Sequence, residues 1–189
     1  MFVKMDEVID ELDEKTGEPI RKILKSVAHK NGIWHGSINI VIVNNDGTET
    51  LLQRRSPKKG FYPDTWDIAV GGHISAGEVP TLAAQRELQE ELGLDSKGMQ
   101  KVTTVKESLE NNGTISNEFV TVFLLHRDID ILDIKLQEEE VSEAKWCTLA
   151  ELKQLIAEKR IIPHVYFEEL IEMLSTENKE ECKEGVPRD

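Results

Sequence analysis

The stretch 72–94, GHISAGEVPTLAAQRELQEELGL, constrains this chain more than any other part of it. Pro80 suits a first helical turn and Gly93 the residue just past a last one, so the spacing predicts a helix over 80–92. Ala84, Leu88 and Leu92 form an i, i+4 stripe that can bury this helix against a sheet. Glu87, Glu90 and Glu91 recur at i, i+3, i+4 and set three carboxylates on one face. Like charges so spaced destabilise a bare helix by about 0.2–0.5 kcal/mol per pair. A hard divalent cation reverses that sign, since Mg²⁺ takes oxygen ligands, keeps several waters and bridges carboxylates to substrate phosphates. Ala83 is expected on the acidic face, where a small side chain leaves room for a ligand. Glu78, ahead of the helix, is placed to pair with Arg86 and hold the loop 72–77 against it. Glycines in that loop let backbone approach a metal or phosphate closely.

Around this segment, residues 5–19 read as a strand and turn. Ile20, Ile23, Leu24 and Val27 have helical spacing, which predicts a helix over 20–28. The β-branched run 36–44 turns at Asn45-Asp46-Gly47 into 48–54, a hairpin signal. A loop follows over 56–66 and a short strand over 67–71. Strands near 100–109 and 117–126 flank Asn111-Asn112-Gly113, a strand near 143–147 leads to a helix over 149–158, and a last helix covers 163–175. Strands and helices interleave without regular βαβ repetition, so a mixed sheet with helices packed on it is expected. A chain of 189 residues suits a single domain over 1–175 with an N-terminal strand and helix extension. The charged tail 176–189 is expected to be disordered.

The formal net charge of −13 weighs against a nucleic-acid partner, which needs clustered Lys and Arg. A small phosphorylated substrate stays compatible, because a local basic patch and bound metal outweigh a distant negative surface. The two cysteines, Cys147 and Cys182, form no CxxC and no dense disulfide framework, so a reducing, cytoplasmic compartment is the expectation. The N-terminus has no basic segment followed by an apolar one, and no apolar run approaches the roughly 18 residues of a membrane span. The apolar N-terminal segment and the last helix could pack on the domain or on a second copy, which leaves a homodimer open.

Five residues separate Gly72 from Glu78, and seven more precede Arg86-Glu87-Leu88-Gln89-Glu90-Glu91-Leu92-Gly93-Leu94. In this the segment resembles the Nudix box at each defined position: Gly72, Glu78, Arg86, Glu87, Glu90, Glu91 and Gly93. The resemblance extends over about residues 30–160. It implies an α/β/α sandwich around a mixed sheet, with the box as a loop–helix–loop motif. It also implies Glu87, Glu90 and Glu91 as metal ligands, a metal-facing carbonyl at Gly72, and Glu78 with Arg86 as the orienting pair. The implied activity is hydrolysis of a diphosphate bond in a nucleoside diphosphate derivative or another organic diphosphate, with Mg²⁺ as cofactor and Mn²⁺ able to stand in. The general base stays open among the box glutamates, Glu118 and the run Glu138-Glu139-Glu140.

A second likeness is narrower. His29, His35, Arg54, Arg55, Lys59, Trp66, His73 and Glu118 are similar to the Nudix branch that contains isopentenyl-diphosphate isomerase. That likeness implies His29, His35, His73 and Glu118 as ligands of one metal ion. The sequence departs from the branch at three places. Gly71 stands where the isomerase has its cysteine, Ser116 stands where a second glutamate would be, and the interval from His29 to His35 is one residue shorter. Moving protons on an unactivated alkene needs an acid and a base on opposite faces, and losing the thiol removes one of them. An isomerase-like scaffold carrying a hydrolase site is therefore the reading, with an isomerase or a non-catalytic ligand-binding module as the alternatives. Arg54, Arg55, Lys58 and Lys59 form a basic cluster ahead of the box, and Arg54, Arg55 and Lys59 are candidate diphosphate contacts. His73 and Glu118 are further substrate-binding candidates. Phe61, Tyr62 and Trp66 are candidate pocket walls, with core packing the stronger expectation for Trp66 and Trp146.

Overall fold

One strand organises the molecule. In the computed structural model, which describes residues 6–184, the strand β3 (His35–Val43) is buried along its whole length. Its β-branched residues alternate between two layers, with Ile38, Ile40 and Ile42 in one core and Val41 and Val43 in the other. One edge of β3 pairs in parallel with β8 (Thr114–His126), from His35 opposite Glu118 to Val43 opposite His126. The other edge is shared by three strands. Glu11 of β1 (Val8–Leu12) faces His35, β6 (Val70–His73) runs antiparallel from Ser37 opposite His73 to Ile40 opposite Val70, and β4 (Glu49–Arg55) meets Ile42 and Val43.

The remaining strands extend this mixed sheet. β2 (Pro19–Leu24) pairs with β1, β5 (Trp66–Ile68) and β9 (Val141–Thr148) pair with β4, and β7 (Gln100–Asn111) pairs with β8. The helix α2 (Pro80–Leu92) covers one face, burying Ala84, Leu88 and Leu92 against Ile38, Ile40 and Phe123. The helices α3 (Leu149–Ala157) and α4 (Phe167–Glu184) cover the other face, where Leu152, Leu155, Leu170 and Leu174 meet Val41, Val122 and Trp66. The result is the expected α/β/α sandwich around a mixed sheet. The helix α2 begins and ends where Pro80 and Gly93 place it, and Gly93 takes the left-handed conformation (φ 72°) that closes the last turn. A capping box between Thr148 and Glu151 starts α3.

Several expectations are corrected. The helix predicted over 20–28 is instead strand β2 followed by a short helix α1 (Lys25–Asn31). Ile20 and Leu24 are 58% and 44% exposed, so the helical spacing has no apolar surface to bury against, while β1 supplies backbone partners for a strand. Asp13 closes that hairpin by accepting from the amides of Lys15 and Thr16. The hairpin expected from 36–44 and 48–54 pairs at two positions before β6 takes over the edge of β3, and β4 turns to β9 along its length. The strand expected over 67–71 is two strands, β5 and β6, serving different neighbours. The last helix continues to Glu184 rather than stopping near 175, and the Cys182 side chain lies outside the described residues. Ala83 is fully buried in the α2 core and leaves no room for a ligand. Among the described residues no helix is long and apolar enough to cross a membrane.

Leu88 is the anchor of α2, fully buried at the centre of that core. A Leu88→Ala variant is expected to lose about 2–5 kcal/mol of stability in urea denaturation. A loss under about 1 kcal/mol would mean that α2 is not fixed by this contact.

Candidate active site

Arg86 is the hub of the box. Its guanidinium makes a two-pronged contact with Glu78, Nε to Oε1 at 3.1 Å and Nη2 to Oε2 at 2.9 Å. Nη2 also donates to the His73 carbonyl at 3.0 Å, and Nη1 donates to Glu87 Oε1 at 2.6 Å. Glu78 accepts from the Ser75 amide as well, so one ion pair ties the loop to the helix. The hydrogen bonds from Arg86 hold the Glu78 carboxyl below its ordinary range.

The three box glutamates differ in setting. Glu90 is half exposed and 3.6 Å from Arg86. Glu87 is mostly enclosed, and burial raises its carboxyl despite Arg86. Glu91 is buried at 6% exposure, where burial and then the neighbouring Glu87 push its carboxyl up to about 8. A buried carboxyl beside a mostly enclosed one, both raised and lining the same cleft, is a setting that a cation would relieve. Gly72 closes this side: a Cβ built there would overlap the Glu87 carboxyl carbon, so only glycine brings the backbone this close to Glu87.

A second cluster lies on the other side of residues 72 and 73. The parallel register sets His35 beside Glu118, and the antiparallel register sets His73 beside Ser37, while α1 delivers His29 from above. One ligand atom from each of His29, His35, His73 and Glu118 falls within 4.8 Å of the others. His29 and His73 approach through their Nε2 atoms at 3.0 Å. His35 Nδ1 lies 2.8 Å from the Ile33 carbonyl and donates to it, which aims Nε2 inward. That Nε2 is buried without a hydrogen-bond partner, 3.8 Å from Glu118. Burial lowers His29 to about 4 and takes His73 well below its ordinary value, so both are neutral near pH 7. Burial alone would raise Glu118, but His35 and the Ser116 hydroxyl outweigh it and keep the carboxylate ionised. Neutral imidazoles, one carboxylate and an orphaned buried nitrogen fit a divalent metal.

The two clusters open into adjoining cavities. An inner chamber of about 370 Å³ lies over the histidines, and an outer cleft of about 970 Å³ lies over the glutamates. Lys25, Arg55 and Lys59 line both, and Lys58 lines the outer one. Arg54 lines neither; it turns to Asp64 at 2.9 Å and to Glu143. Successive strand residues point to opposite faces, so Leu51, Gln53 and Arg55 face the α2 side while Leu52 and Arg54 face away. Glu139 and Glu140 rim the outer cleft, and Glu140 pairs with Lys59. Glu118 belongs to the inner chamber. Phe61 walls that chamber, Tyr62 packs edge-on against Phe61, and Trp66 lies in the core beneath Lys145.

Sequence reasoning missed several of these residues. Lys25 enters both cavities from the extension, four residues before His29. Gln53 Nε2 donates to Glu91 Oε2 at 3.3 Å, and the alternation that separates Arg55 from Arg54 would have found it. At the chamber floor His164 sits between Asp67 (2.8 Å) and Glu107 (2.9 Å), residues too far apart in sequence to signal a cluster. A Gly72→Ala variant is expected to fold with a melting temperature near that of the wild type but to displace Glu87. Its affinity for Mn²⁺ at the carboxylates, followed by electron paramagnetic resonance, should drop about tenfold or more. Unchanged affinity would mean that Glu87 is not a ligand.

The NUDIX domain family profile matches residues 34–169. "Nudix hydrolase 3" of Arabidopsis thaliana is 37% identical over 160 residues, covering 81% of this chain but only 20% of that protein's length. "Isopentenyl-diphosphate Delta-isomerase 2" of Photorhabdus laumondii is 30% identical over 177 residues, covering 94% of this chain and 97% of that protein. A crystal structure of a Deinococcus radiodurans protein superposes with a TM-score of 0.70 at 23% identity, covering 87% of this chain and 97% of the other, a likeness of fold. With the box glutamates, Arg86 and Gly72 arranged as described and the family profile spanning most of the sheet, the chain belongs to the Nudix family.

Proposed function

We propose that the protein is a metal-dependent hydrolase that cleaves a diphosphate linkage in a small organic molecule. The observation that carries this reading is that Glu87 and Glu91 share the lining of one cleft with Lys25, Arg55, Lys58 and Lys59. A diphosphate in that cleft would meet both basic side chains and an ion held by the carboxylates. When bound, Mg²⁺, or Mn²⁺ in its place, would neutralise phosphate oxygens and acidify a water molecule.

The protein's own groups have distinct tasks. Lys59 binds phosphate oxygens as a point charge, and Arg55, whose Nε and Nη2 donate to the Phe61 carbonyl and whose Nη1 meets Asp67, adds a fixed positive charge to the same wall. Arg86 fixes the Glu87 carboxylate and, through Glu78 and the His73 carbonyl, the loop that carries Gly72. Gln53 holds Glu91 Oε2, so that this buried carboxyl has one defined orientation. Glu139 and Glu140 stand at the rim, within the cleft but outside the buried pair, where a base can take a proton from water and release it to solvent. The free thiol of Cys147 is buried in the core, in keeping with a cytoplasmic setting for this activity.

A second reading is isomerisation of an isoprenoid diphosphate. The convergence of His29, His35, His73 and Glu118 favours it, as does the similarity to a protein named as an isomerase. It ranks below hydrolysis because Gly71 offers no proton donor. A Cβ at 71 would also lie 3.1 Å from Asn39 Oδ1, so a side chain fits there only if Asn39 moves.

The test is product release with Mg²⁺ from nucleotide sugars, dinucleotides, nucleoside di- and triphosphates and isoprenoid diphosphates. Wild type should hydrolyse at least one class, and a Glu90→Gln/Glu91→Gln variant should be slower by about 100-fold or more. Interconversion of the two five-carbon diphosphates without hydrolysis of any compound would reverse the ranking.

A further inference from the structure

Behind Arg55 runs a chain of buried charges that the hydrolase reading does not use, and backbone pairing sets it out. Arg55 ends β4, and Asp67 lies on the neighbouring strand β5. The segment after α3 pairs alongside Trp66: the Trp66 amide donates to the Arg160 carbonyl, and the Ile162 amide donates to the Trp66 carbonyl. That pairing brings His164 to Asp67, while β7 supplies Glu107 to the opposite ring nitrogen. The contacts then alternate in charge. Arg55 Nη1 lies 3.4 Å from Asp67 Oδ2, Asp67 Oδ1 lies 2.8 Å from His164 Nε2, and His164 Nδ1 lies 2.9 Å from Glu107 Oε2. Backbone groups hold both ends: Arg55 Nε and Nη2 donate to the Phe61 carbonyl, and Glu107 Oε1 accepts from the Val165 amide. Arg55 keeps 14% of its side chain exposed, whereas Asp67, His164 and Glu107 keep 6% or less. Burial alone would raise Asp67, but His164 and then Arg55 outweigh it and keep the carboxylate ionised. Burial alone would lower His164, but Asp67 and Glu107 outweigh it and hold the ring as a cation up to about 10.

We infer that Asp67 and His164 are positioning residues that hold the Arg55 guanidinium, still charged, at the wall of the phosphate-binding cleft. The inference rests on the diphosphate reading above. A guanidinium has five N–H donors. Two serve the Phe61 carbonyl and one serves Asp67, which leaves two for an anion in the cleft. A lone buried carboxylate against Arg55 would cancel most of its charge. Asp67 instead divides its own: Oδ1 takes the His164 ring and the Ile68 amide, and Oδ2 is left for Arg55. His164 therefore acts twice. It fixes the orientation of Asp67, and it offsets the Asp67 charge so that the cleft meets Arg55 as a net cation. Glu107 supplies the counter-charge that lets a buried imidazolium persist.

The test is a double-mutant cycle read by calorimetry. The probe is methylenediphosphonate with Mg²⁺, which binds without being hydrolysed, and every variant is checked for an unchanged melting temperature. Arg55→Gln should weaken binding about tenfold or more. Asp67→Asn should weaken it about fivefold or more, although it removes a negative charge beside an anion site. Loss of that charge alone would tighten binding, so the sign separates positioning from simple electrostatics. Arg55→Gln/Asp67→Asn should bind within about twofold of Arg55→Gln, because Asp67 then has nothing left to position. Should Asp67→Asn not fold, His164→Gln takes its place in the same cycle, with the same non-additivity expected. The inference is overturned if the Asp67 or His164 variant binds as tightly as wild type, or if its loss multiplies with that of Arg55→Gln. It also falls if Arg55→Gln binds as wild type does, an outcome that leaves the diphosphate reading standing on Lys25 and Lys59. Wild-type protein that does not bind the probe overturns the diphosphate reading and this inference together.

Discussion

The guanidinium of Arg86 is the contact on which the candidate site depends. It joins Glu78 before the helix, Glu87 within it and the carbonyl of His73 at the end of β6, three positions that local structure alone would leave independent. Five N–H donors in a rigid plane can serve all three at once, which an ammonium on a flexible stem cannot. Glu87 still raises its buried neighbour Glu91, and of these two carboxylates Arg86 holds Glu87. The fork therefore does for the metal-free protein part of what a cation would do, and it fixes the geometry that the cation would meet.

The second constraint is register. The parallel pairing of β3 with β8 places His35 beside Glu118, and the antiparallel pairing with β6 places Gly72 and His73 on the opposite edge. One strand thus sets the histidine cluster and the carboxylate cluster about residues 72 and 73, which line both cavities. A one-residue slip on either edge would turn His73 or Glu118 to the other face and empty the chamber of its ligands. The depth of β3 in the sheet, with both faces covered by helices, makes such a slip costly.

Much of this was legible in the chain because the strongest signals are local. Pro80 and Gly93 bound α2 with no help from tertiary structure, and the spacing of Glu78, Arg86, Glu87 and Glu91 encodes the ion pair and the carboxylate face together. What could not be read depends on partners distant in sequence. Ile20, Ile23 and Leu24 spell a helix until β1 is present to pair with them. Arg54 and Arg55 are indistinguishable as a dipeptide, and only the phase of β4 sends one to the cleft and the other to Asp64. Ala83 shares a helix face with Glu87, yet it is fully buried in the α2 core. The His164 floor draws on residues from β3, β5, β7 and the C-terminal segment, so no sequence window contains it.

The most direct measurement is X-ray diffraction from crystals grown with Mn²⁺, recorded at the manganese absorption edge. The account predicts an anomalous peak within coordination distance of the Glu87 and Glu91 carboxylates, in the cleft that Lys25, Arg55 and Lys59 also line. A peak confined to His29, His35, His73 and Glu118, with nothing at the box glutamates at saturating Mn²⁺ and bound diphosphate, would contradict it.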